Sequence, residues 1–93
     1  MSITASAVTV GTAATAIITG DDYAAGNKDG RVTYEILNNG SVTIYIGGNS
    51  SVTTSNGSPI PAGGARTLDL RLGSVVYAIA SSAGQDVRIL KVG

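Results

Sequence analysis

The sequence predicts one small all-β domain, a β-sandwich or jelly-roll-like barrel of seven or eight short antiparallel strands. Three observations carry this expectation. Apolar and polar residues alternate with period two in segment after segment, the pattern of strands that bury one face. Gly, Asn, Ser and Pro punctuate these runs at spacings of roughly 8–12 residues, as in sandwiches and barrels. The 93 residues show no break in composition and no linker, so a single domain spans 1–93.

Taken in order, Ile3–Val10 and residues 12–19 are rich in Thr, Val and Ala and are separated by Gly11. Ala favours helix, but the interleaved Thr, Val and Gly favour two strands. Residues 20–30 form a polar, Gly-rich loop that is acidic at its start. In 31–37, Val32, Tyr34 and Ile36 share one face and Thr33 and Glu35 the other. In 41–46, Val42, Ile44 and Ile46 oppose Thr43 and Tyr45. Asn38-Asn39-Gly40 lies between them, and Asn and Gly tolerate the positive φ of tight hairpin turns. A hairpin over 31–47 is therefore expected.

Residues 47–64 hold five glycines together with Pro59 and Pro61, leaving room for a short strand at 51–54. The prolines cannot donate to a ladder, which places Ile60 at a sheet edge or a crossing between sheets. Leu68, Leu70 and Leu72 alternate with Thr67, Asp69 and Arg71 before Gly73-Ser74. In 74–80 both faces are apolar: Val75, Tyr77 and Ile79 against Val76, Ala78 and Ala80. A Gly-containing turn over 81–85 leads to a last strand over 86–92.

The core must be thin. Leu, Ile and Val number 23, but 12 further apolar residues are Ala, and Phe and Trp are absent. Domains near this size bury only about 60–70% of their unfolded surface and commonly need disulfides, metals or partners. Cysteine and histidine are absent, which removes disulfides and leaves no ligand set for structural zinc. Oligomerisation, or docking onto something larger, is expected. The six basic and six acidic residues balance, so no footprint for nucleic acid or an anionic membrane is present. The start, Met1-Ser2-Ile3-Thr4, lacks a basic region and reads as neither a signal peptide nor a membrane span.

Chemistry is sparse. Nucleophilic catalysis needs a Ser, Thr or Cys beside a base, usually His, and no His exists. Glycoside hydrolysis needs two carboxylates across a cleft, and only Asp21, Asp22, Asp29, Glu35, Asp69 and Asp86 are available. No enzyme is expected, and no catalytic, cofactor or metal residue is assigned. Asn27-x-Asp29-Gly30 imitates part of a calcium loop but fails at Ala25, the first ligand, and at Ile36, where the bidentate acid belongs. Asp21 or Asp22 with Asp29 is the remaining calcium set, against a solvated turn. The sequons at Asn39, Asn49 and Asn56 read as turn residues. Tyr34 and Tyr77 fall on apolar faces and read as core, while Tyr45 points the other way and Tyr23 lies in a loop. Two loosely placed rings make no sugar-stacking platform.

The run Asn38-Asn39-Gly40-Ser41-Val42-Thr43-Ile44-Tyr45-Ile46-Gly47, then 51–60, Leu68-Asp69-Leu70, Tyr77-Ala78-Ile79-Ala80 and Val87-Arg88-Ile89-Leu90, resembles small virion proteins of tailed bacteriophages. The likeness covers about 31–92 and rests on turn and strand signals. It implies a capsid decoration (cement) protein, made in the host cytoplasm, that binds the head exterior and staples major capsid protein subunits, often as a homotrimer. Neck, tail or fibre components are the alternative within the virion, and a carbohydrate-binding attachment module the alternative outside this class. Segment 1–10 is a candidate for strand exchange with a neighbouring edge.

Overall fold

A computed structural model of the protein describes residues 3–19, 31–71 and 75–92. They form eight strands: β1 Ile3–Val10, β2 Thr15–Ile18, β3 Arg31–Asn38, β4 Ile44–Gly47, β5 Ser58–Ile60, β6 Ala65–Arg71, β7 Val76–Ala80 and β8 Gln85–Val92. Two four-stranded sheets result, sheet A in the order β1-β8-β3-β6 and sheet B in the order β2-β7-β4-β5. All pairs are antiparallel.

The pairings have one logic. β1 pairs with β8, β2 with β7, β3 with β6 and β4 with β5. The chain is a long two-stranded ribbon whose tip is the β4–β5 connection, rolled so that successive segments fall in opposite sheets. Cross-pairs β3·β8 and β4·β7 seal the roll. This is jelly-roll topology, with one edge of each sheet on either side of the sandwich.

The expected hairpin over 31–47 does not form. β3 lies in sheet A and β4 in sheet B, so Asn38-Asn39-Gly40 is an arch between layers. Positive φ is not what its glycine supplies: among the described residues only Gly63 (φ 79°) and Gly84 (φ 76°) adopt it. Gly40 is needed for a close approach. A Cβ there would lie 2.4 Å from Gln85 Oε1. That oxygen accepts the Ser41 N–H at 2.7 Å and the Val42 N–H at 3.1 Å, fixing the arch to the start of β8. Gly40→Ala is expected to lower stability by about 1–3 kcal/mol, as overpacking of a fixed site does, measured by urea denaturation. An unchanged midpoint would show that Gln85 can move aside.

Asn38 closes the other half of this corner. Its side chain is fully buried. Nδ2 donates to the carbonyls of Val42 (2.8 Å) and Ile60 (2.9 Å), and Oδ1 accepts the Gly40 N–H at 3.0 Å. Its backbone N–H donates to the Gly64 carbonyl and its own carbonyl accepts the Gly63 N–H. One residue thus binds the end of β3, the arch, the end of β5 and the turn into β6. Buried polar groups are tolerated because they are paired, and no buried side-chain polar atom among the described residues lacks a partner.

Between the sheets, Val10, Tyr34, Ile36, Val87 and Ile89 from sheet A meet Ile18, Ile44, Ile46, Ile60 and Val76 from sheet B. Ala78 and Ala80 also point inward, fully or almost fully buried, while Tyr77 and Ile79 face out. The reading of Tyr77 as core is therefore corrected. Both faces of β7 are apolar, so alternation gave two solutions. Beside the bulky Ile44 and Ile46 of the adjacent strand, the small-residue face fits the limited depth between layers. Residues 51–54 form no strand, and Ile60 sits 1% exposed in the edge strand β5, as expected from its flanking prolines.

Candidate assembly surface

Charge is distributed unevenly over the sandwich. Every Asp, Glu, Lys and Arg among the described residues lies in β3, β6 or β8, all in sheet A. β2, β4, β5 and β7, which make up the whole of sheet B, contain none, and neither does β1. A solvated sheet face normally carries interspersed charge. Sheet B does not.

Its outer face is built from cross-strand rows. Ala16, Tyr77 and Gly47 form one row, and Ile79, Tyr45 and Pro59 the next. Tyr45 and Tyr77 are thereby diagonal neighbours on adjacent strands, within reach of each other for aromatic side chains. Both rings are half-buried. The sequence places the two tyrosines on different faces; the register brings them together.

One edge of this face is a preformed loop over 48–57. Val52, only 6% exposed, lies outside the main core cluster. It sits where Cβ atoms at Gly47 and Gly57 would fall, 2.9 Å from each, and the Gly57 position also abuts Tyr45 Cβ. Val52 is thus an apolar plug that seats the loop on the outer face of sheet B. The loop's polar groups close on themselves: Asn56 Oδ1 accepts the Thr53 N–H at 2.8 Å, Asn49 Oδ1 accepts the Ser51 N–H at 2.9 Å, and the Gly57 N–H donates to the Thr53 carbonyl. Such Asx and Thr turns explain the loop's Asn and Thr content, including Asn49 and Asn56 of the sequons.

The four sheet edges differ. β5 has three residues and contains Pro59. β6 carries Arg66 on the inward face, opposite Ile36, and its guanidinium donates to the Pro59 carbonyl at 2.9 Å and to Ser58 Oγ, bridging the two sheets. An inward-pointing charge and a proline both block strand addition. β2 has four residues and an irregular register between Ala16 and Ile18. β1 has eight residues in unbroken register with β8 and neither charge nor proline. It pairs with β8 on one side, and no strand among the described residues pairs with its other edge.

Among the described residues no catalytic arrangement is assembled. Glu35 and Asp69 lie two registers apart on the open outer face of sheet A, both exposed. Asp86 is bound to Arg88 (2.8 Å) and to the Asn39 amide (3.0 Å), and these partners, Arg88 foremost, hold its carboxyl below the usual carboxylate range. No three His, Cys, Asp or Glu residues gather among the described residues. The calcium candidates Asp21, Asp22 and Asp29, and Tyr23, lie outside the described residues. A shallow depression of about 380 Å³ on sheet A is lined by Ala5, Ala7, Glu35, Leu37, Arg88 and Leu90, and owes its depth to the two alanines.

No family model matches the chain, and no curated protein matches it. Among solved structures, a chain from Bacillus endospore appendages, described as a novel family of disulfide-linked pili, aligns over 97% of this chain and 83% of that one, with a TM-score of 0.59 and 12% identity. At that identity the likeness is one of fold. This chain has no cysteine, so disulfides cannot link its copies.

Proposed function

We propose that this protein is a non-enzymatic structural subunit of a multi-subunit surface assembly, in which the charge-free sheet B faces other subunits and the charged sheet A faces water. The single observation behind this reading is that the described charges are confined to β3, β6 and β8, while sheet B turns the half-buried Tyr45, Tyr77 and Ile79 and the exposed Pro59 outward. Interface cores are depleted in charge and enriched in Tyr, as this face is. A fibre or appendage component is the form best supported, because a pilus-type subunit shares the fold. Capsid decoration is the narrower reading that the phage resemblance favours, with the major capsid protein as partner.

Negative-stain microscopy and light scattering of the purified protein test this. Filaments or discrete oligomers that persist on dilution are expected for the appendage form. For decoration, small oligomers that bind empty phage heads and raise their heat resistance are expected. A monomer at every concentration that binds no particle would overturn both. The juxtaposed Tyr45 and Tyr77 support one further reading, stacking on a sugar ring. Retention on a glycan array that is lost in Tyr77→Ala would establish it.

A further inference from the structure

We propose that β1 pairs antiparallel with β1 of a second copy across a two-fold axis, making sheet A continuous over eight strands. The proposal rests on the assembly reading above but concerns a different surface, the edge of sheet A.

The occupant follows from elimination among the chain's own edges. An open edge offers alternating N–H and C=O groups that only another extended strand satisfies. β5 is short and contains proline, β6 is guarded by Arg66 and further charges, and β2 is short and irregular. β1 alone is long, regular and unguarded, so the strand in this chain best able to accept β1 is β1 itself. Antiparallel pairing of identical strands is self-complementary, which is what a closed two-fold interface requires.

The surroundings of β1 fit this partner. Ile3 is 65% exposed, the one exposed large apolar side chain among the described residues. Ser6 shares a face with Val8 and Val10 yet is exposed, as are Ala5 and Ala7. At Ser6 the inward face of β1 is therefore exposed. In an antiparallel pair this half runs beside the covered half of the other copy, which offsets the two sandwiches along the strand.

Geometry narrows the register. A closed pair needs its axis perpendicular to the sheet, so facing residues share a face and one residue faces itself. Ser6 opposite Ser6 sets Ala5 against Ala7 and Ile3 against Thr9, covering Ile3 while keeping small residues at the centre.

The absence of cysteine makes the test direct. Ala5→Cys, Ser6→Cys and Ala7→Cys are made singly, with Thr67→Cys on β6 as control, and oxidised under mild conditions. At least one of the three is expected to give about tenfold more disulfide-linked dimer than the control, since facing residues in a paired sheet lie within disulfide reach. The double variant Ala5→Lys, Ala7→Lys puts like charges opposite each other and is expected to weaken the dimer at least about tenfold in sedimentation, with unchanged melting temperature. Assembly that persists in the lysine variant without β1 cross-links would overturn this proposal alone. A trimer as the smallest oligomer would also overturn it. A strictly monomeric protein would remove the assembly reading as well.

Discussion

Asn38→Leu is expected to be the most damaging single substitution on the polar side of the fold, costing about 3–5 kcal/mol of stability. The side chain is fully buried, and its amide satisfies the Val42 and Ile60 carbonyls and the Gly40 N–H. Leucine matches it in size but takes this partner from all three groups, the Ile60 carbonyl in a buried setting and the other two in half-buried ones. Each such group costs about 1–3 kcal/mol. Small domains have only about 5–15 kcal/mol to lose, so the substitution removes a large fraction of the total. Urea denaturation followed by circular dichroism measures the effect. A loss below about 1 kcal/mol would mean that water reaches this corner and that Asn38 is not the tie between β3, β5 and the arch.

Tyr77→Lys is expected to have the largest effect on assembly, weakening association at least about a hundredfold while leaving the fold intact. Tyr77 stands in the middle of the charge-free face, beside Ala16 and Gly47 and diagonal to Tyr45. An ammonium group there is accepted by water in the free subunit, with its aliphatic stem lying along the sheet. In an interface it would be a buried, unpaired charge, which docking cannot accommodate without several kcal/mol of cost. Light scattering and thermal melting of Tyr77→Lys, with Thr67→Lys on sheet A as control, separate the two effects. If the variant assembles as well as the control, sheet B is not the docking face and the reading of function fails with it.

Much of the fold was legible along the chain because a strand's register on one face is a local property. The alternation in Tyr34 and Ile36, and in Ile44 and Ile46, assigns the inner face correctly, since polar neighbours leave one solution. β7 has no polar neighbours, and there the pattern could not choose between Ala78 and Tyr77. The turn at Asn38-Asn39-Gly40 misled for a different reason. Asn and Gly signal a change of direction but not whether the chain returns beside itself or crosses to another layer. Gln85, 45 residues beyond Gly40, decides that by accepting the N–H groups of Ser41 and Val42. The proposed docking face was invisible for a related reason: Tyr45 and Tyr77 are 32 positions apart, and only the β4·β7 register makes them neighbours.

By itself, the sequence determined the strand content, the thin aliphatic core, the absence of cysteine and histidine chemistry, and that Ile60 lies at an edge or a crossing between sheets. These depend on composition and on periods of two residues. Tertiary structure alone decided that the ribbon rolls into a jelly roll and, among the described residues, that the charges gather on one sheet and that β1 is left as the unguarded edge. Those features arise from pairings between residues far apart in the chain, where geometry rather than local preference selects the partner.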